Sequence, residues 1–247
     1  MLRNKVAVIT GCSRGIGLKT LEIFSQNGAD IFSCVRNIDE KFLQKIDIIT
    51  KKHGNKIFPL KLDLNDKESI KSAIKEINKY EKNINILINN AGVIHNKLFQ
   101  LTKIDEIYET FEVNFFNQIF FVQGLLRNII KTKNGSIVFL SSSAAEDGNI
   151  GRSAYSSSKA ALAAFAKVLS RELGPSKIRV NSISPGLTET DMMINSTDKK
   201  YLENIPNEIP LKRIGDTIDV ANLILFLSSD FSSYVTGQNL RIDGGLK

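Results

Sequence analysis

Tryptophan is absent from this chain of 247 residues, and cysteine and histidine occur only twice each. Two thiols, Cys12 and Cys34, cannot build a disulfide scaffold, and their places beside β-branched runs suit small buried hydrophobes. His53 and His95 lack cysteine or carboxylate neighbours at ligand spacing, so no metal site is expected. The same scarcity excludes a histidine-dependent serine hydrolase, since there is no G-x-S-x-G elbow and neither histidine stands in the right order to act as base. No apolar run approaches the roughly 18 residues that span a bilayer. The opening MLRNKVAVITG has too short an apolar run for a secretory signal, so a cytoplasmic protein with no membrane partner is expected. Linkers rich in Pro, Gly or Ser are missing too, as are internal repeats, which argues for one domain over residues 1–247.

What is present is a soluble, globular composition, 42% hydrophobic and 24% charged. The net charge is +7, but the lysines are scattered and not gathered into a stripe, so no nucleic-acid partner is expected. Apolar, β-branched runs at 6–10, 29–35, 56–64, 84–89, 135–141 and 177–184 predict strands covered on both faces. Helical spacing of apolar residues follows Gly17 and recurs over 66–80, 103–131, 154–173 and 217–228. Strand alternating with helix predicts an α/β fold, a Rossmann-like doubly wound parallel sheet flanked by helices, with its ligand site beyond the carboxyl ends of the strands.

Two local patterns carry chemistry. In VAVITGCSRGIGLKTLEIF, the turn between strand and helix holds Gly11, Gly15 and Gly17 at G-x-x-x-G-x-G spacing. Glycines there admit positive φ and let backbone N–H groups approach a pyrophosphate at a helix N-terminus. In SAYSSSKAALAAF, Tyr155 and Lys159 stand four residues apart, on one face of a helix among small neighbours. Alone, that pair would read as an exposed amphipathic couple.

TGCSRGIG, NNAG at 89–92 and Tyr155-x-x-x-Lys159, in this order, resemble the short-chain dehydrogenase/reductase family over essentially the whole chain. PGLTETDM (185–192), PLKRIG (210–215) and VTGQNLRIDGG (235–245) are most similar to the bacterial 3-oxoacyl-(acyl carrier protein) reductases of that family. The resemblance implies a catalytic set of Asn114, Ser142, Tyr155 and Lys159. Tyr155 would give a proton to a carbonyl oxygen, and Lys159 would favour its phenolate and hold the nicotinamide ribose. Ser142 would hydrogen-bond the substrate oxygen; chemistry alone does not separate it from Ser141 and Ser143, and family spacing selects it. Asn114 would hold a water against Lys159, and a polar residue in so apolar a helix suits a relay or a structural kink.

The resemblance further implies cofactor contacts from Gly11, Ser13, Arg14, Gly15, Ile16 and Gly17 in the turn, and from Asp63 and Leu64 at the adenine. Asn90, Ala91 and Gly92 would pass the ribose; the alternative for Asn89 and Asn90 is to hold neighbouring loops, a role that suits Asn89 equally well. Pro185, Gly186, Thr188 and Thr190 would wall the nicotinamide, with a hydroxyl from Thr190. At the end of the second strand, Val35 occupies the place of the acidic residue that receives the adenosine ribose, and Arg36 follows it. Arg14 and Arg36 together suit a 2′-phosphate, so NADP(H) is expected over NAD(H).

For the substrate, the resemblance implies reduction of a 3-oxoacyl-(acyl carrier protein), under a lid at about 191–213. Another ketone, of a sugar or a polyketide, is the alternative within the family, and a non-catalytic cofactor-binding regulator the alternative outside it. An intact set of four catalytic positions argues against the regulator. Lys133 and Lys177 lie near positions that dock an acidic carrier protein, Lys177 offset by a residue, and His95 is a candidate pocket residue. A homotetramer is expected, paired through the C-terminal segment and the long helices.

Overall fold

The computed structural model describes residues 1–246, Lys199 by its backbone alone. Seven strands form one parallel sheet in the order β3-β2-β1-β4-β5-β6-β7: β1 Val6–Thr10, β2 Asp30–Val35, β3 Ile57–Lys61, β4 Ile86–Asn89, β5 Gly135–Leu140, β6 Ile178–Pro185 and β7 Asn239–Ile242. Every residue of β1, β4, β5 and β6 is buried, as parallel strands between two helical layers require.

The helices are α1 Gly15–Gln26, α2 Glu40–His53, α3 Lys67–Asn78, α4 Ile104–Phe111, α5 Asn117–Ile130, α6 Ala144–Asp147, α7 Ser153–Leu173, α8 Asp191–Ser196, α9 Lys199–Asn204 and α10 Thr217–Ser228. Two cores result. On one face Val8, Leu87, Ile137 and Val180 meet Ile70, Phe121 and Leu162 of α3, α5 and α7; on the other Ile9, Ile88 and Val138 meet Leu21, Phe42 and Ile224 of α1, α2 and α10. Strand order reverses between β1 and β4, and a crevice opens at their carboxyl ends.

The short helices α6, α8 and α9 were not among the expected elements, and three larger features also differ from the sequence expectation. Helix α2 was not among the expected elements, although Asp39 caps it by accepting the Phe42 N–H at 2.8 Å and Gly54 ends it with φ 77°. Strand β7 carries Asn239 and Arg241 on a half-exposed edge, so its pattern lacks the apolar run that marks the buried strands. The single helix expected over 103–131 is instead α4, a π-helical turn at Glu112–Phe116, and α5. Asn114 sits in that turn with its side chain tied to the backbone of Val93, a bond that fixes the extra residue per turn in place.

Arg179 on β6 is a buried cation that closes the end of α10. Its guanidinium donates to the carbonyls of Leu227 (2.8 Å) and Ser229 (3.1 Å) and to the Ser232 hydroxyl (2.7 Å). Those carbonyls belong to the end of a helix, where they have no intrahelical partner and carry the negative end of the dipole. Arg179→Ala is therefore expected to lower Tm by roughly 4–12 °C, about 2–3 kcal/mol for a domain of this size, checked by thermal unfolding. No helix among the described residues is long and apolar enough to cross a membrane, and no cluster of three metal-ligating side chains occurs among them.

Candidate active site

The site begins at the turn from β1 into α1. Gly11 and Gly15 have φ of 74° and 56°, a region costly for other residues, and the turn brings the N-terminus of α1 to the crevice. Gly17 packs directly on Gly11, leaving no room for a Cβ. Asn90, just past β4, locks the arrangement: its Nδ2 donates to the carbonyls of Thr10 (2.9 Å) and Gly11 (3.2 Å). The Thr10 hydroxyl in turn accepts the N–H groups of Asn90 and Ala91, both at 3.0 Å. Of the two asparagines for which a loop-holding role was expected, the structure gives it to Asn90; the buried Asn89 side chain makes no hydrogen bond among the described residues.

A cavity of about 350 Å³ runs from this turn across the carboxyl ends of the strands. It brings together Gly11, Ser13, Arg14, Gly15, Ile16 and Gly17 with Arg36, Asp63, Leu64, Asn90, Ala91 and Gly92. Ser142, Tyr155 and Lys159 with Pro185, Gly186, Thr188 and Thr190 line the same cavity. Arg36 is exposed at the tip of β2, and no ion pair engages it among the described residues. Arg14 is not equally free, because its guanidinium lies 3.3 Å from Asp191 at the start of α8. Asp63 accepts the Asn65 N–H at 2.9 Å, and the cap of α3 falls to Asp66, which accepts the Glu68 N–H.

The glycine turn fits a dinucleotide pyrophosphate on its own geometry: positive φ at two glycines and the N-terminus of the twelve-residue α1 facing the cavity. Thr190 departs from its expected use. Its hydroxyl accepts the Met193 N–H at 3.2 Å and donates to the Thr188 carbonyl at 3.3 Å, so it caps α8. Thr188 is buried and donates to the Gly186 carbonyl at 3.2 Å.

On the catalytic side, the three serines after β5 separate by their bonds. Ser141 donates to the backbone carbonyl of Lys159 (2.8 Å), and Ser143 begins α6 and is buried. Ser142 alone of the three sits half-exposed in the cavity beside Tyr155, its oxygen accepting the Ala144 N–H at 3.2 Å. Tyr155 and Lys159 share one face of α7, the ammonium 5.9 Å from the ring centroid. Burial raises the Tyr155 phenol above its ordinary range, while the Ser142 hydroxyl and the Arg152 charge pull it down. Lys159 was expected to exert that pull. Instead its ammonium donates to the Leu140 carbonyl at 2.7 Å, and burial pushes its pKa down to about 8.

Asn114 is fully buried and satisfied: it accepts the Val93 N–H (2.8 Å) and donates to the Val93 carbonyl (2.9 Å) and Ser158 hydroxyl (3.1 Å). Ser158 donates onward to the Tyr155 carbonyl at 2.7 Å. A Cβ on Gly92 would stand 3.1 Å from Asn114 Oδ1 and 3.2 Å from Lys159 Nζ, so glycine there keeps the two side chains as neighbours. The expected kink and the proximity to Lys159 coexist in one residue.

Met192, Met193 and Ser196 of α8, with Thr197 just after it, line the cavity. Asn96 donates to the Ser196 carbonyl and ties the end of α8 to the segment after β4. Arg152, three residues before Tyr155, also lines the cavity and was missed from the sequence; its signal was a cation at the first turn of the helix bearing the tyrosine. His95 does not line the cavity. Lys133 and Lys177 precede β5 and β6, at the amino ends of those strands, and neither lines the cavity.

A family model described as Enoyl-(Acyl carrier protein) reductase matches residues 11–247. The chain is 36% identical over 248 residues to a 3-oxoacyl-(acyl-carrier-protein) reductase of Aquifex aeolicus, covering 99% of this chain and 98% of that protein. It is 37% identical to an uncharacterized short-chain type dehydrogenase/reductase of Sinorhizobium fredii, covering 100% and 98%. A crystal structure of a short-chain type dehydrogenase/reductase from Mycobacterium marinum superposes with a TM-score of 0.90 at 29% identity, covering 99% of this chain and 96% of that one.

Proposed function

The chain belongs to the short-chain dehydrogenase/reductase family, and we propose that it is an oxidoreductase that reduces the ketone of a 3-oxoacyl-(acyl carrier protein) to the 3-hydroxyacyl form with NADPH. The observation that carries this reading is the convergence of Ser142, Tyr155 and Lys159 on one cavity that also holds the glycine turn. Relatives named 3-oxoacyl-(acyl-carrier-protein) reductase, at 36% identity in Aquifex aeolicus and in Thermotoga maritima, favour that substrate.

Ser142 donates a hydrogen bond to the carbonyl oxygen, and Tyr155 transfers its phenolic proton to that oxygen as negative charge develops there. The bound cofactor supplies the hydride. Lys159 holds the cofactor ribose together with Tyr155, and Asn114, adjacent to Lys159, links that pair to solvent protons. Gly11, Ser13, Arg14, Gly15, Ile16 and Gly17 receive the phosphates; Asp63 and Leu64 receive the adenine; Asn90, Ala91 and Gly92 pass the ribose. Pro185, Gly186, Thr188 and Thr190 form the nicotinamide wall. Helices α8 and α9 act as the lid. The same proposal includes a homotetramer, supported by apolar side chains left exposed on α4, the π-helical turn and α7: Tyr108, Phe116 and Val168.

Preference for NADPH is supported by Val35 where an acidic residue would repel a 2′-phosphate, and by the unpaired Arg36. Arg36→Ala is expected to raise KM for NADPH roughly tenfold and leave KM for NADH unchanged. Equal effects on both cofactors would remove Arg36 from the phosphate site. The function itself is tested by NADPH oxidation with acetoacetyl and crotonyl thioesters side by side. Turnover of the first alone is expected; turnover of the second alone would mean reduction of a carbon–carbon double bond, as the description of the matched family model names.

A further inference from the structure

Arg152 lies on the substrate side of the cavity, and no carboxylate pairs with its charge among the described residues. It precedes the first turn of α7, half-buried, and lines the cavity together with Tyr155 and Ser142. Its only side-chain hydrogen bond among the described residues is a long one, 3.4 Å from Nη2 to the Thr197 hydroxyl. The carboxylates of this region are engaged elsewhere. Asp191 faces Arg14, Glu146 and Asp147 face Arg241, and Asp198 caps α9 by accepting the Tyr201 N–H. The other cation of this end, Lys159, is buried and donates to the Leu140 carbonyl. Around Arg152 the wall is otherwise neutral: Val93, Ile94, Met192 and Met193.

A guanidinium that loses water when substrate enters needs a replacement acceptor, or its burial opposes binding. A simple ketone offers one oxygen, and Tyr155 with Ser142 claims it. Arg152 and Tyr155 line the same cavity, the Arg152 charge close enough to act on the phenol, so a second oxygen on the same small molecule can meet the guanidinium. We propose that Arg152 is a specificity-determining residue, its guanidinium receiving the C1 oxygen of a 3-oxoacyl group while the C3 oxygen faces Tyr155 and Ser142; this rests on the ketone-reduction proposal above. The C1 oxygen has two sources with shared chemistry. A thioester offers one neutral acceptor, and a free 3-oxo acid offers a carboxylate matched to the planar fork of arginine.

The experiment compares wild type, Arg152→Gln and Arg152→Lys with NADPH on an acetoacetyl thioester, on acetoacetate, and on a mono-ketone lacking the C1 oxygen. Arg152→Gln is expected to lower kcat/KM on the 3-oxo substrates by roughly tenfold or more, the loss carried by KM, with the mono-ketone within about twofold and partial recovery in Arg152→Lys. The 3-oxo substrate that suffers the larger loss identifies the source of the oxygen. An equal fall on the mono-ketone, or a fall in kcat with a shifted pH profile, would mean that Arg152 acts through the ionisation of Tyr155, and overturns the inference. So would unchanged kinetics. A wild type inactive on every ketone overturns the ketone-reduction proposal and this one together, whereas an active wild type indifferent to Arg152 removes only this one.

Discussion

Tyr155→Phe is expected to reduce NADPH-dependent ketone turnover by about 10²–10⁴-fold, the usual range for a positioned general acid, while nucleotide affinity and Tm stay near wild type. The substitution removes a single oxygen. The bonds that hold this turn of α7 are made by the backbone: the Tyr155 carbonyl accepts the Ser158 hydroxyl at 2.7 Å whichever ring is present. The aromatic ring remains under the Lys159 ammonium. What is lost is a buried phenol whose ionisation is balanced between burial, which opposes it, and the Ser142 hydroxyl and Arg152 charge, which favour it. Steady-state turnover with a fluorescence titration of NADPH separates the two effects. Turnover undiminished in the variant would remove Tyr155 from the chemistry.

Gly17→Ala is expected to be the most damaging single methyl in the chain. A Cβ at Gly17 would overlap the Gly11 carbonyl oxygen and come within 2.5 Å of Asn90 Nδ2 and 2.8 Å of the Gly11 carbonyl carbon. Two of those atoms are backbone and the third is the side chain that locks the turn, so none can yield locally. Overpacking of this kind costs on the order of 3 kcal/mol, roughly 6–12 °C in Tm for a domain of this size, and it opens the turn that receives the phosphates. Nucleotide binding is expected to be lost even where the protein still folds. Ser72→Ala is the control: the residue is exposed on α3 and its hydroxyl makes no hydrogen bond among the described residues, so the substitution is expected to leave Tm unchanged or slightly raised. Equal behaviour of the two variants in thermal unfolding and NADPH titration would contradict this description of the turn.

The sheet was legible where burial is complete. β1, β4, β5 and β6 are apolar on both faces, and such runs stand out from sequence; β7 is a half-exposed edge with alternating polar residues, and its place beside β6 depends on contacts that no local pattern encodes. The two glycine positions that need positive φ, and the Tyr155 and Lys159 face, were also legible, because each depends on spacing within one element. Side-chain partners across elements were not. That Asn90 would turn to Thr10 and Gly11, that Thr190 would cap α8, and that Asp191 would take Arg14 are outcomes of which segments the fold brings together. Arg152 is of the same kind: its local signal was present three residues before Tyr155, but its place in the cavity, beside Thr197, depends on which segments the fold brings together.

The most direct measurement of hydride transfer to a ketone at this site is isotopic. NADPH carrying deuterium at both hydrogen positions of nicotinamide C4 is incubated with the protein and an acetoacetyl thioester, and the product is analysed by mass spectrometry. A 3-hydroxybutyryl thioester with one deuterium at C3 is the expected result. NADPH left unconsumed, or a hydroxyl product without deuterium at C3, would contradict it.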